Sequence, residues 1–289
     1  MKPELRRTHV PVLCDEVIRF LDPQPNHDYV DATIGQGGHT DAILNRTSPG
    51  GRVLGIDKDK INLSVAASFL SQFKDRAVLA QDSFANLLSI AYAHGFSQVS
   101  GIVFDLGFSS YHIEDSERGF SFQSEGPLDM RYDQGRGKTA EDLVNSLSEN
   151  ELADIFRLYG EERRAREIAK AIINERGRTR IATTTQLAKI VSDTVRQRGK
   201  LHPATRVFQA LRIAVNNELD EIKMALPQAV DLLEKGGVIV IISFHSLEDR
   251  IIKNFFKTNE HLETITKKIL VPTQKQKQIN PRARSARMR

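Results

Sequence analysis

A chain of 289 residues, 40% hydrophobic and 27% charged, has the composition of a globular protein and enough length for one large domain or two unequal ones. No apolar run reaches the roughly 18 residues that a membrane-spanning helix needs. The opening Met1-Lys2-Pro3-Glu4-Leu5-Arg6-Arg7 leads into no signal-like segment, so a cytoplasmic protein without membrane contact is expected. The one cysteine, Cys14, excludes an internal disulfide and any multi-cysteine metal centre, and in the amphipathic stretch Val10 to Leu21 it reads as core. The net charge of +4 is modest but clustered. Seven Lys/Arg stand between Arg163 and Arg180 against Glu167 and Glu175, and nine between Lys257 and Arg289 against Glu260 and Glu263. Such clusters favour a polyanionic partner, although a solvated helix face and a free tail would carry them equally well.

Five short apolar runs bounded by Gly, Asp or Asn read as buried parallel strands: Tyr29 to Ile34, Arg52 to Ile56, Ala77 to Ala80, Gly101 to Leu106 and Gly237 to Phe244. Helical segments fall between them at His39 to Leu44, Asp59 to Phe73 and Phe84 to His94. The alternation predicts an α/β, doubly wound, mainly parallel sheet of the Rossmann-like kind, with ligands at the carboxyl ends of the strands. About 130 residues separate the last two strands, too many for one crossover. Phe208, Leu211, Val215, Leu219, Ile222 and Leu226 recur at helical spacing and predict one crossover helix leading into the fifth strand. The rest is expected to be an inserted helical subdomain. It opens with a Gly-rich loop (Glu117 to Lys138) and continues through Ala140 to Asn145, Glu149 to Tyr159, Arg163 to Arg176 and Thr185 to Arg196. The expected domains are therefore 1–112 with 204–289, and an insert at 113–203. The tail after Thr273 is polar and basic and is expected to order only against a partner or the domain surface.

Gly35-Gln36-Gly37-Gly38 joins the first strand to the first helix, where the backbone must turn with positive φ and lie close against a ligand. A Gly-x-Gly turn alone serves several nucleotide cofactors. Asp31, entering the turn, suits a cationic sulfonium or amino group better than a pyrophosphate. Asp57 ends the second strand 22 residues after Gly35, where a carboxylate can accept ribose hydroxyls. Phe84, in Asp82-Ser83-Phe84, can give an adenine an apolar face or simply fill the core. Together with His39, these residues point to S-adenosyl-L-methionine. The fourth strand delivers Asp105-Leu106-Gly107-Phe108-Ser109-Ser110, which reads as a catalytic floor. The fifth delivers Ser243-Phe244-His245-Ser246, in which Ser246 reads as an N-cap paired with Asp249 and His245 stands at the strand tip. No His pair or carboxylate cluster has metal-site spacing, so no metal is expected.

These strings in this order resemble the MraW-type family, the ribosomal RNA small-subunit methyltransferases H. The likeness runs from His9-Val10-Pro11-Val12-Leu13 through Asp31 to His39, Gly55-Ile56-Asp57 and Asp105 to Ser110. It continues at Glu117 to Phe122, Gly126 to Arg131, Tyr159 to Glu162, His202 to Arg206, Phe208-Gln209-Ala210, Ser243 to Arg250 and Asn280 to Ser285. The resemblance implies a class I methyltransferase fold. It also implies transfer of a methyl group from S-adenosyl-L-methionine to the N4 amine of a cytidine in the decoding region of 16S rRNA, within the small ribosomal subunit or its precursor. Carried over by position, the cofactor contacts are Gly37, Gly38, His39, Asp57, Phe84, Asp105 and His112; the reading of the residues adds Asp31 and Gly35. Two departures stand out. Phe108 replaces a smaller aliphatic residue, and Tyr111-His112 replaces a Pro-Gln pair, which leaves a backbone contact at His112 easier to carry over than a side-chain one.

Cytosine N4 is a poor nucleophile because its lone pair is delocalised into the ring, so an acceptor on its hydrogens would assist the reaction. Asp105 and Ser109 are candidates, as are Ser243 and His245, and the residues favour Asp105. The target base must leave its stack, and the basic insert is the natural clamp. Arg163, Arg164, Arg166, Arg206, Arg282 and Arg284 are candidate phosphate contacts, and Asp129-Met130-Arg131 a candidate lining of the base pocket. Rival readings are a methyltransferase for a protein or small molecule, a dinucleotide oxidoreductase, and a non-catalytic RNA-binding protein. Monomer and homodimer both stay open.

Overall fold

The computed structural model describes residues 11–195, 202–266 and 268–289, the side chain of Ser110 excepted. His9-Val10 of the first motif, Arg196 at the expected end of the last insert helix and Lys267 of the tail lie outside the described residues. Among the described residues no helix is long and apolar enough to cross a membrane. The chain forms two compact units, Met1–Gly107 with Leu219–Arg289 and Phe108–Glu218.

The first unit runs through α1 (Cys14–Leu21), β1 (Tyr29–Asp31), α2 (Gly38–Arg46), β2 (Val53–Asp57), α3 (Lys60–Phe69), β3 (Ala77–Gln81), α4 (Leu87–Ala93) and β4 (Val99–Asp105). The second unit carries α5 (Ser110–Glu114), α6 (Ala140–Ser146), α7 (Glu149–Gly160), α8 (Ala165–Arg176), α9 (Thr184–Thr194) and α10 (Thr205–Asn216). The chain then returns through α11 (Glu218–Leu232), β5 (Leu233–Ser243), α12 (Ser246–Thr258), α13 (Gln274–Ile279) and β6 (Arg287–Met288). The sheet order is β3-β2-β1-β4-β5-β6, parallel throughout except for β6. This is the doubly wound, mainly parallel α/β architecture that the alternation of strands and helices predicts.

Its strands read as unbroken apolar runs because both faces of the sheet are covered. Ile102 and Phe104 pack with α4, α11 and α12 through Ile90, Ile222, Leu226 and Ile252. Val103, between them, packs with α1 and α2 through Val17, Leu21, Ile43 and Leu44, as the two-residue period of a strand requires. β1 stops at Asp31, short of the expected Ile34, because Asp31 Oδ1 accepts from the Thr33 amide at 3.3 Å and turns the chain. Backbone pairing outlasts the strand: Ala32 N donates to Val103 O at 2.9 Å and Ile34 N to Ile56 O at 3.0 Å.

Two features differ from the expectations, and a third settles the place of the tail on the domain surface. The single apolar stripe from Phe208 to Leu226 is two helices, broken where Asn217 takes a left-handed conformation (φ 53°). Phe208 and Leu211 serve the core of the second unit, whereas Ile222 and Leu226 serve the sheet. The compact units therefore part at Gly107/Phe108 and Glu218/Leu219 rather than after His112 and Pro203. The tail supplies the edge strand: Ile242 pairs with Met288 and Ser243 with Arg287. Arg289 Nε and Arg287 Nη1 hold Asp249 at 2.8 and 3.3 Å, so the domain surface itself orders these residues.

In the second unit, capping boxes start α6, α7 and α9 at Thr139/Asp142, Ser148/Glu151 and Thr183/Gln186. Leu152, Phe156, Ile168, Ile172, Leu187 and Val191 fill its core. The Gly-rich loop is pinned from both sides. The buried Arg118 guanidinium donates to the carbonyls of Arg131 and Tyr132, both at 3.0 Å. Asn216 donates to Met130 O at 2.7 Å and accepts from Tyr132 N at 2.8 Å.

Candidate cofactor and active site

At the carboxyl ends of β1, β2 and β4 three aspartates stand around the glycine turn. Gly35 (φ 52°) and Gly37 (φ 87°) occupy the left-handed region that favours glycine, and Gly37 caps α2. The turn is tied to β2 by Asp57, whose Oδ2 accepts from Gly35 N at 3.0 Å and Asn62 Nδ2 at 3.1 Å, while Oδ1 accepts from Asp59 N at 2.8 Å. Three donors on a carboxylate with about four lone-pair positions leave room for one further donor on Asp57. Burial pushes the Asp57 carboxyl up to about 7, against the three donors that favour its charged form.

Asp31 is fully buried. Besides the Thr33 amide, it accepts from Thr40 Oγ1 at 2.8 Å on its second oxygen. Burial raises its pKa, and the nearby His39 opposes that rise. Thr33 in turn accepts from the Asp105 amide at 2.6 Å, joining the ends of β1 and β4. Neither Thr33 nor Thr40 nor Asn62 was singled out in the sequence; their only signal was a hydroxyl or amide close to an aspartate at a strand end.

His39, on the first turn of α2, is 4% exposed. Its Nε2 lies 3.6 Å from Asp105 Oδ2, an ion-pair distance too long for a hydrogen bond. Burial disfavours the imidazolium, yet Asp105, the Cys14 thiol and Asp31 outweigh it and push the ring up to about 10. The other oxygen of Asp105, Oδ1, is buried with no hydrogen-bond partner, as is Gln36 Oε1 in the glycine turn. Phe84 packs edge-on against Phe104, 5.8 Å between centroids at 87°, on the margin of the sheet core.

The chain aligns with the model of the MraW methylase family over residues 6–289. It is 44% identical to ribosomal RNA small subunit methyltransferase H of Thermomicrobium roseum, covering 100% of this chain and 94% of that one. It is 47% identical to the protein of the same name from Persephonella marina, covering 97% of each. The counterpart in Syntrophobacter fumaroxidans is 42% identical, over 100% of this chain and 97% of that protein. The chain belongs to the MraW methylase family.

The other residues that the family likeness brought forward are distributed unevenly. His245, not Ser246, is the N-cap of α12, with Glu248 rather than Asp249 as its capping-box partner. Glu248 is buried and reaches back to the amides of Phe244 and His245 at 2.8 and 3.2 Å, whereas Asp249 is taken up by Arg287 and Arg289. The His245 ring, with Nε2 3.1 Å from Glu248 Oε1, serves the helix start. Ser243 Oγ donates to Arg287 O at 3.4 Å, toward the edge strand. Ser109 and His112 belong to the second unit, where they form the capping box of α5 with 3.2 Å between Ser109 Oγ and His112 Nδ1. The His112 ring is buried against Phe120 and Tyr132, at 4.9 and 5.3 Å between centroids.

The basic candidates divide by partner. Arg131 is clamped by Asp129, Nε to Oδ1 at 2.8 Å and Nη2 to Oδ2 at 2.9 Å. Next to it Met130 is fully buried in the core of the second unit. Arg164 pairs with Glu167 one turn away. Arg206 is exposed and donates to Glu161 O at 3.1 Å. Arg163, Arg166 and Arg284 are exposed, and Arg282 lies 6.0 Å over the Phe244 ring.

Proposed function

We propose that this chain is an S-adenosyl-L-methionine-dependent methyltransferase that acts on the N4 amine of a cytidine in the decoding region of 16S rRNA, within the small ribosomal subunit or its precursor. The observation that carries the reading is Asp105 Oδ1, a buried carboxylate oxygen without a partner at the end of β4, beside the glycine turn. A buried acceptor left unmade is costly and calls for a donor from a ligand. The names of the relatives supply the rRNA class of substrate.

The residues present fit the methyl donor. The positive-φ glycines let the backbone approach a ligand, Asp57 keeps one position for a ribose hydroxyl, Gln36 Oε1 is a buried acceptor, and three carboxylates suit a cationic ligand. When bound, the donor supplies an activated methyl group on sulfur. Asp105 Oδ1 accepts an N–H of the target amine, which draws its lone pair out of the ring and gives the departing proton a base. Fixing that carboxylate in advance supplies orientation rather than new bonding. Exposed Arg163, Arg166 and Arg206 of the second unit, and Arg284 of the first, provide positive charge for phosphates.

The test is complementation. rRNA from cells lacking this protein is mapped by mass spectrometry after expression of the wild-type chain or Asp105→Ala. The wild type restores the N4-methyl mark and Asp105→Ala does not. A mark that persists in the deletion strain refutes the reading. Thermal stabilisation of the pure protein by NAD and not by adenosylhomocysteine would replace it with the oxidoreductase reading.

A further inference from the structure

Two buried groups and a half-buried one in the first unit make a cluster that hydrogen-bond bookkeeping alone does not explain. At the tips of neighbouring strands, His39 faces Asp105 of β4 at 3.6 Å and feels the charge of Asp31 of β1. Asp31 has both oxygens engaged, by the Thr33 amide and the Thr40 hydroxyl. Asp105 has neither oxygen in an ordinary hydrogen bond: Oδ2 faces the His39 ring at 3.6 Å and Oδ1 is bare. The ring nitrogens of His39 likewise make no hydrogen bond of ordinary geometry, although the ring is 4% exposed. The groups that face it are Asp31, Asp105 and the Cys14 thiol of α1.

Two carboxylates brought to one end of the sheet repel each other. A cationic ring facing Asp105 Oδ2 offsets that repulsion and fixes which oxygen of Asp105 is turned away from it, leaving Oδ1 to accept from a ligand.

We propose that His39 is a positioning residue that acts through Asp105: its ring, facing Asp105 Oδ2, holds that carboxylate turned so that Oδ1 faces the ligand's N–H donor. The assignment rests on the methyltransferase reading for its purpose, but not for its physics. His39 touches no reacting atom in this role; its ring sets the orientation of the residue that does. Its own proton is held well above neutral pH by the same carboxylates, its ring being pushed up to about 10 after burial has pulled the other way.

The first measurement is the side-chain 15N spectrum of the full-length protein labelled at histidine, followed from pH 6 to pH 10 without ligand. His39 is assigned from the signal missing in His39→Gln. Its ring is expected to stay cationic through pH 8 and to titrate at least one unit lower in Asp105→Asn. A ring that is neutral at pH 7.5, or that titrates at the same pH in both proteins, overturns the proposal. The second measurement separates positioning from folding. His39→Gln, with its thermal transition recorded alongside, is expected to lower the single-turnover methylation rate about tenfold or more, with KM for RNA unchanged. Since His39 acts only through Asp105, the double variant His39→Gln/Asp105→Asn is expected to be no slower than Asp105→Asn alone. A double variant slower than Asp105→Asn is a separate structural effect and counts against the assignment. Absence of rRNA methylation by the wild type would refute the proposed function and leave the titration of His39 to stand on its own.

Discussion

Replacing Asp57 with Asn asks whether burial or hydrogen bonding governs the carboxyl that ties the glycine turn to β2. Three donors converge on it, Gly35 N at 3.0 Å, Asn62 Nδ2 at 3.1 Å and Asp59 N at 2.8 Å. Asparagine has one acceptor oxygen, so at least one donor would face an amide NH2, a loss of about 1–3 kcal/mol at any pH. The second effect depends on pH. Burial raises the folded carboxyl from 3.8 to about 7, so the folded chain holds this proton more tightly than the unfolded chain does. The stability it contributes is therefore full below pH 3.8 and is lost as pH rises to about 7, after which it is flat. At about 1.4 kcal/mol per unit the whole decline is on the order of 4 kcal/mol, of which about 3 kcal/mol falls between pH 5 and pH 8. The variant has no such decline. With roughly 2 °C in Tm per kcal/mol, the deficit of Asp57→Asn should shrink by roughly 6 °C between pH 5 and pH 8. Above pH 7 the variant should melt level with the wild type or higher. Calorimetric melts at fixed ionic strength measure this directly. A deficit that stays constant, or widens as pH rises, would mean that the three donors outweigh burial and that Asp57 is ionised at neutral pH, refuting the argument.

Other consequences follow from single contacts. Thr40→Val removes the hydroxyl donated to fully buried Asp31 and should lower stability by about 1–3 kcal/mol in denaturant titration, with a still higher Asp31 pKa. Asp249→Asn should loosen β6, because Arg287 and Arg289 lose their partner, and trypsin should then clip the tail without the sheet unfolding. Asp249 is held below the usual carboxylate range, Arg289 and Arg287 outweighing burial, so the same loosening should appear in the wild type as pH falls through that lowered value. Arg163→Ala and Arg166→Ala should leave Tm unchanged and each reduce the salt dependence of RNA binding by about one unit of slope. Arg131→Ala should instead lower Tm, since its charge already belongs to Asp129.

Much of this protein follows from its chain order alone. Parallel strands buried on both faces must be apolar at every position, so their runs between Gly, Asp and Asn were visible without a partner strand in view. The positive-φ glycines after Asp31 and the acid at Asp57 were equally legible, because backbone conformation and residue type at a strand tip are local properties. What periodicity could not report was the destination of an apolar face. Phe208 to Leu226 keeps helical spacing across Asn217, and only packing reveals that its two halves serve different cores. Spacing likewise offered Ser246 as an N-cap, whereas the buried Glu248 chose His245. The tail carried too little hydrophobic signal to announce an edge strand, and its pairing with β5 depends on Asp249 lying 40 residues before Arg289. The state of His39 is the furthest of all from the sequence. A histidine's charge is set by what surrounds it in space, and Asp31, Asp105 and Cys14 come together there only when the sheet and its helices have formed.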